Sequence, residues 1–369
     1  MKYLFSGDIQ YYSGQKRKKK YLKKGIAVLL LAAVILFSAG SFYQIHGRYL
    51  QAFGRVERPE RTIYETYADI SQDYSRTEIS FSSQGNKLKG YLYGPKKAEA
   101  LVVISHGMGK GAESYIEETA YFVRRGFKVL AFDNTGSYES EGDGVTGLSQ
   151  SVIDLDAALT YVEHNEELRK LPVLIYGHSW GGWAAAAILH YDHNITASVC
   201  VSGYNSPMEM MMEQAKKEKK GLCYVEFPYL WIYQKVLFGS AADLSAAECI
   251  SETNIPVLVM QGAEDTVVPR DTVSILAHQD ETTNPNAKFM CWSEKGQNGH
   301  SSLFRAPEYA EYRKKVNRSW KELEQEYSGN VPEGIAAEWY AAVDKSKMSK
   351  LDEVFMQEVY QFYKNALDK

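Results

Sequence analysis

Leu171 to Ala187 reads LPVLIYGHSWGGWAAAA. Val173 to Tyr176 is a short apolar run suited to a buried strand. The chain then breaks at Gly177, presents Ser179, breaks again at Gly181 and Gly182, and continues into alanine-rich helix. A Gly-x-Ser-x-Gly between strand and helix is the pattern of a sharp turn that holds a serine nucleophile clear of the sheet. Such a turn puts its serine at strained backbone angles with neighbouring chain packed closely around it. Glycine at 177 and 181 leaves room for that packing. A chain of this length should carry the bare pattern about 0.1 times by chance, so the strand-turn-helix context decides the reading. The alternative is an ordinary helix N-cap serine.

Working outward, the flanks supply a sheet. Thr77 to Phe81 and Leu88 to Tyr93 read as strands joined by the turn Gln84-Gly85-Asn86. Ala100 to Ser105, Phe127 to Phe132, Ala197 to Val201, Pro256 to Met260 and Ala287 to Trp292 are further strand candidates. Helical patterns fall between them at Glu113 to Arg125, closed by Gly126, and at Leu148 to Asn165. Strands alternating with helices of this length specify a mostly parallel sheet covered on both faces. Ligand chemistry in such sheets collects at the carboxyl ends of strands. His106, Asp133, Ser179, Gly203, Asp265 and His300 each follow a strand within a few residues.

Four motifs stand in order: His106-Gly107, Gly177-His178-Ser179-Trp180-Gly181, Gly262-Ala263-Glu264-Asp265 and Gly299-His300. With them, 77–304 resembles the α/β-hydrolase superfamily, in particular its serine aminopeptidase-like and lysophospholipase-like branch. The resemblance implies an α/β-hydrolase fold with a helical cap insertion. It also implies a Ser-His-Asp triad in the chain order Ser179, Asp265, His300. It places the backbone N–H groups of Met108 and Trp180 in an oxyanion hole, and it implies no organic cofactor.

The chemistry points the same way. A serine hydroxyl needs an adjacent base. Of eight histidines, His178 adjoins Ser179 and should turn away, and His106 should brace the loop after its strand. His164, His190, His193 and His278 fall on or beside helices, and His46 lies by the apolar N-terminal segment. His300 remains. An acid must hold its tautomer; Asp265 has the expected position and Glu264 is the neighbouring rival.

Between Gly203 and Ile250 the chain is longer than one crossover needs, so 204–250 is read as a cap. Met208, Met210, Met211 and Met212 suit either packing or an apolar substrate pocket. Residues 306–369 have helical spacing divided at Pro332-Glu333-Gly334 into two helices, with no catalytic role.

At the other end, Lys16 to Lys24 (KRKKKYLKK) precedes an apolar stretch from Gly25 to about Ile45, with no polar residue from Ile26 to Phe37. About 20 residues of helix cross a hydrocarbon core, and flanking positive charge stays cytoplasmic. This predicts a cytoplasmic 1–24, a transmembrane signal anchor at 25–45, a juxtamembrane stalk at 46–76 with some helix near Glu60 to Ile70, and an external hydrolase domain at 77–305. Cleavage near Ser38-Ala39-Gly40 is the competing reading.

Lys+Arg 42 against Asp+Glu 46 gives a net charge of −4, and no nucleic-acid-binding signature is present. Cys200, Cys223, Cys249 and Cys291 have no metal-ligand spacing, so no metal is implied. Cys200 and Cys291 sit in apolar runs and are expected buried; Cys223 and Cys249 could bridge in an oxidising compartment. The expectation is therefore a single-pass membrane protein that cleaves an ester, thioester or peptide bond of a small-molecule or peptide substrate through an acyl-enzyme. Esterase or lipase-like activity ranks ahead of aminopeptidase activity, since no residue marks an amine site. A binding protein that kept the fold is the non-catalytic alternative. Serine in the elbow disfavours aspartate-nucleophile dehalogenase or epoxide hydrolase chemistry.

Overall fold

The computed structural model describes residues 5–219, 221 and 223–368. Eight strands form one sheet in the order β1-β2-β4-β3-β5-β6-β7-β8. They are β1 (Arg76–Ser83), β2 (Asn86–Tyr93), β3 (Leu101–Ser105), β4 (Lys128–Phe132), β5 (Val173–His178), β6 (Ile195–Val201), β7 (Val257–Gly262) and β8 (Ala287–Trp292). The first hairpin pairs antiparallel and joins β4 antiparallel; every later pairing is parallel. The central strands β3 and β5 are apolar along almost their whole length and fully buried, as burial on both faces requires. Strand order reverses beside β3, where β5 becomes its neighbour with Ser105 opposite Gly177. That switch point brings the loop after β3 beside the turn after β5.

Helices cover both faces. On one face α4 (Gln150–His164) and α5 (Trp180–Ala187) pack Val152, Leu155, Leu159, Trp183 and Ala184 to Ala187 against the sheet. On the other, α3 (Ile116–Arg124) packs Phe122 beside Val102 and Tyr176. The alanines let α5 lie close: a β-carbon on Gly181 would sit 2.0 Å from the Ser105 carbonyl oxygen, and one on Gly177 would sit 2.0 Å from the Gly181 oxygen. Gly181→Ala is therefore expected to destabilise the protein by about 1–3 kcal/mol through overpacking, read as a lowered denaturant midpoint.

The C-terminal region forms four helices rather than two: α9 (Tyr309–Glu326), α10 (Glu333–Ala342), α11 (Lys345–Ser349) and α12 (Glu353–Leu367). The added breaks come from aspartate caps. Asp344 accepts from the Lys347 amide and Asp352 from the Phe355 amide at 2.6 Å. The last helix belongs to the sheet's own packing. Phe355, Met356, Val359 and Tyr363 are buried against it, and the Tyr363 hydroxyl donates to the Ile175 carbonyl at 2.7 Å.

The N-terminal helix α1 runs from Phe5 to Ala52 and contains a segment long and apolar enough to cross a membrane. Ile26 to Phe37 is exposed on every side. From Ser38 onward one stripe is covered (Ser38, Ser41, Phe42, Ile45, Tyr49), at the spacing of a single helix face. Its cover is α7 (Cys223–Phe238) of the cap, which follows α6 (Pro207–Lys219) and precedes α8 (Ala246–Ser251).

Residues 53–66 differ from the expected stalk. They form a strap whose residues 54–56 pair with the loop after β4 and whose later residues Arg58, Arg61 and Glu65 bond to Glu113, Glu333 and Ser349; the helix that follows is the single turn α2 (Tyr67–Ile70). Val56 exchanges backbone hydrogen bonds with Gly136 and Tyr138. The Arg55 guanidinium donates to the Tyr138, Ser140 and Gly142 carbonyls. These bonds hold the start of the strap without helix. Among the described residues Cys223 and Cys249 are buried thiols, not a bridge. Cys291 is exposed, contrary to expectation, because β8 is the edge strand, where no residue is fully buried and Lys288 and Cys291 stand exposed.

Candidate active site

The turn between β5 and α5 holds Ser179 at φ 59°, ψ −114°, a left-handed conformation that costs a non-glycine residue about 1–3 kcal/mol. It is held by its ends. The Ser179 amide donates to the Val201 carbonyl at 2.8 Å, and its carbonyl accepts from Trp183 at 3.0 Å. The hydroxyl Oγ stands 2.8 Å from His300 Nε2, and His300 Nδ1 stands 2.8 Å from Asp265 Oδ2. Three residues from three loops thus form one hydrogen-bonded line.

Asp265 is fixed on both oxygens. Oδ1 accepts from the amides of Val267 and Val268, each at 2.9 Å, and Oδ2 also accepts from Gln261 Nε2 at 2.8 Å. Glu264, by contrast, is exposed and engages the His300 loop through its backbone, donating to the Asn298 carbonyl at 2.8 Å. Gly262 lets that loop close: a β-carbon there would meet the Asn298 oxygen at 2.5 Å.

Met108 follows Gly107 in the loop beside Ser179, and Trp180 follows Ser179 directly. Trp180 opens α5, where the first amides have no intrahelical acceptor. Among the described residues neither Met108 nor Trp180 donates its amide to another backbone group. A β-carbon on Gly107 would be 3.4 Å from that of Ser179, so the loop passes over the serine at van der Waals distance. His106 braces this loop. Its Nδ1–H donates to the Gly107 carbonyl at 2.8 Å and its Nε2 accepts from the Asn134 amide at 2.9 Å. Burial pushes its pKa down to about 4, so it stays neutral. Asp133 lies outside the line; it accepts from the amides of Ala112 and Glu139, and burial pushes its carboxyl up to about 7.

One connection was not visible in the sequence. The Gly107 amide donates to the Tyr115 hydroxyl at 2.9 Å, which donates to His178 Nδ1 at 2.7 Å. His178 Nε2–H then donates to the His300 carbonyl at 2.9 Å, which also accepts from Ser202 Oγ at 3.1 Å. Burial, then the neighbouring His300, holds the His178 pKa well below its ordinary value, so this imidazole is a neutral strut. It ties the loop over Ser179 to the loop that carries His300. Tyr115→Phe leaves the Gly107 amide and His178 Nδ1 without partners, an effect of about 1–3 kcal/mol for each buried group. The expected result is a kcat lowered roughly tenfold, corresponding to about 1.4 kcal/mol, with KM for a small ester changed less. Tyr115 lies in a helical run with no motif around it, so neither spacing nor composition singles it out.

A cavity of about 480 Å³ opens over Ser179 and His300. Beside motif residues Gly107, His178, Ser179 and His300, its walls include Arg58 and Tyr64 of the strap, Lys110, and Tyr309 and Arg313 of α9. Arg58 pairs with Glu113, which also holds Arg76 at 3.2 Å. Lys110 Nζ lies 5.8 Å from the Tyr64 ring centroid, within cation–π range.

Residues 96–243 match the family described as serine aminopeptidase, S33. Among characterised proteins the chain is similar to the lysophosphatidylserine lipase ABHD12 of Danio rerio, 20% identical over 240 residues that cover 61% of this chain and 60% of that protein. It is also similar to the quorum-quenching protein AidA of Acinetobacter baumannii, 29% identical over 160 residues that cover 39% of this chain and 53% of that one. The chain thus spans little more than half the length of these relatives. Among solved structures, an esterase of Pyrococcus furiosus superposes with a TM-score of 0.50 at 19% identity, over 74% of this chain and 97% of that one. The mostly parallel sheet, the strained turn at the end of β5 and these matches agree on the fold: this chain has the α/β-hydrolase fold and is similar to members of that superfamily.

Proposed function

We propose that the protein is a membrane-anchored serine hydrolase, esterase- or lipase-like, working through an acyl-enzyme. The observation that carries the reading is the line Ser179–His300–Asp265 at 2.8 Å per step. In this reading His300 Nε2 takes the Ser179 proton as Oγ attacks the acyl carbon. Asp265 holds Nδ1–H and stabilises the imidazolium. The oxyanion is received by the amides of Met108 and Trp180, each such donor being worth roughly 3 kcal/mol in comparable sites. The imidazolium then returns its proton to the leaving alcohol, and water repeats the sequence to release the acid. Among the described residues no cluster of His, Cys, Asp and Glu could hold a metal ion, and none of these steps requires one.

The anchoring part rests on the charge asymmetry about α1: Lys16 to Lys24 on one side and a mixed segment from Arg48 to Arg61 on the other. This bias puts 1–24 in the cytoplasm and the hydrolase outside. Protease added to intact cells is expected to reach the hydrolase but not a tag at Met1; protection until lysis would reverse the orientation. Activity is tested with p-nitrophenyl esters against aminoacyl p-nitroanilides. The aminopeptidase reading is favoured only by the description of the matching family. It would prevail if the anilides were turned over with the higher kcat/KM.

A further inference from the structure

The cap does more than cover one end of the sheet. Tyr229 of α7 packs edge-on against Phe37 and Phe42, with ring centroids at 5.9 and 5.4 Å, and its hydroxyl lies 3.0 Å from Ser38 Oγ. Four residues on, the Tyr233 hydroxyl is 2.8 Å from His46 Nδ1. If the hydrocarbon core begins at Gly25, about 20 residues carry the helix across it, to near Ile45. At about 1.5 Å per residue, Ser38 then lies roughly 10 Å inside the far edge. A helix in contact with Phe37 and Ser38 must descend to that depth. The outer surface of α7 fits such a place. Val225, Phe227, Trp231 and Ile232 are 38–51% exposed, around a helix that would face water if α1 did not span a membrane.

Behind α7 lies an apolar cavity of about 390 Å³. Its walls include Ile45 and Tyr49 of α1, Met211 and Met212 of α6, Leu230 of α7, and Met108, with Arg48 and Glu226 also on its lining. Met108 also lines the 480 Å³ cavity over Ser179, and its amide is one of the two assigned to the oxyanion. The two cavities therefore share Met108 as a wall. One is apolar and bounded by the membrane helix. The other carries Arg58, Lys110 and Arg313.

We propose that α7 is embedded in the outer half of the bilayer beside α1, and that the cavity between α1, α6 and α7 passes the acyl chain of a membrane-resident ester directly from the bilayer to Ser179. The polar cavity then holds the leaving alcohol. The flexible methionines let the slot fit chains of differing length. The proposal rests on the hydrolase and anchoring readings above and names their substrate class: esters whose acyl chain is dissolved in a lipid bilayer.

The test uses the full chain in phosphatidylcholine vesicles. With Cys291→Ser removing the exposed thiol, an environment-sensitive fluorophore is placed at Ile232→Cys and, separately, at Leu30→Cys. Lipids brominated on the acyl chain are expected to quench both. Quenching at Leu30 with none at Ile232 overturns the embedded cap while leaving the anchor standing. No quenching at either overturns the anchor and the proposal together. In the second arm, Met211→Trp fills the slot. It is expected to lower kcat/KM for p-nitrophenyl palmitate in the vesicles roughly 100-fold while p-nitrophenyl acetate stays within about twofold. Preserved palmitate turnover overturns the route. Should Met211→Trp lower both esters equally, Ile232→Asp on the exposed face decides: an unchanged palmitate-to-acetate ratio there also overturns it. Wild-type protein that cleaves neither ester removes the hydrolase reading itself.

Discussion

Ser179→Ala is expected to abolish covalent labelling by a fluorophosphonate and to lower kcat by about 10⁶, the loss typical of removing the nucleophile from a complete triad. The fold should not notice. The strained turn is held by backbone bonds, from the Ser179 amide to Val201 and from Trp183 to the Ser179 carbonyl, and alanine keeps both. Only the 2.8 Å contact to His300 Nε2 is lost, on a side chain that faces the cavity and water. The denaturant midpoint should therefore stay within about 0.5 kcal/mol of the wild type, as for substitutions away from packing or buried polar features. Residual turnover would come from binding and the oxyanion amides, which in comparable enzymes still give 10³–10⁴ over water. Equal labelling of mutant and wild type would remove Ser179 from the mechanism.

Where sequence reading succeeded, local chemistry was enough. Leu101 to Ile104 and Val173 to Tyr176 are uninterrupted apolar runs because both faces of those strands are buried, and that composition shows without a partner in view. The turn at Ser179 was visible because tight packing against Gly181 and Ser105 excludes a β-carbon at positions 177 and 181. The strap at 53–66 was read as a stalk because its residues are polar. Its hydrogen bonds run to carbonyls of 136–142 and on to Glu113, Glu333 and Ser349, from 55 to 284 residues away, and no local period encodes such pairing. Cys291 failed for a related reason: an apolar run fixes a strand, but not whether that strand has neighbours on both sides. The Tyr115–His178 strut joins residues 63 apart through one hydroxyl and one imidazole, each of which reads as ordinary core.

Asp265→Asn should reduce kcat by roughly 10⁴ while preserving the fold, and the reason is the direction of four hydrogen bonds. Asp265 Oδ1 accepts from two backbone amides, Val267 and Val268. Oδ2 accepts from His300 Nδ1–H and from Gln261 Nε2, whose other bond goes to the Val268 carbonyl. An asparagine with its oxygen toward His300 would turn its NH₂ on the two backbone donors and leave both amides unpaired, at about 1–3 kcal/mol each. The other orientation keeps those amides satisfied and is the one expected. Its NH₂ then faces His300, which can accept only by giving up the proton on Nδ1. That proton moves to Nε2, the nitrogen 2.8 Å from Ser179 Oγ, and the imidazole can no longer take the serine's proton. Labelling by a fluorophosphonate should slow in parallel with ester hydrolysis, since both require the same base. Glu264→Gln changes an exposed side chain whose backbone contact to Asn298 survives, and it should cost less than about twofold. If Glu264→Gln proved the more damaging of the two, the acid of the triad would have to be reassigned, and with it the tautomer that makes His300 a base.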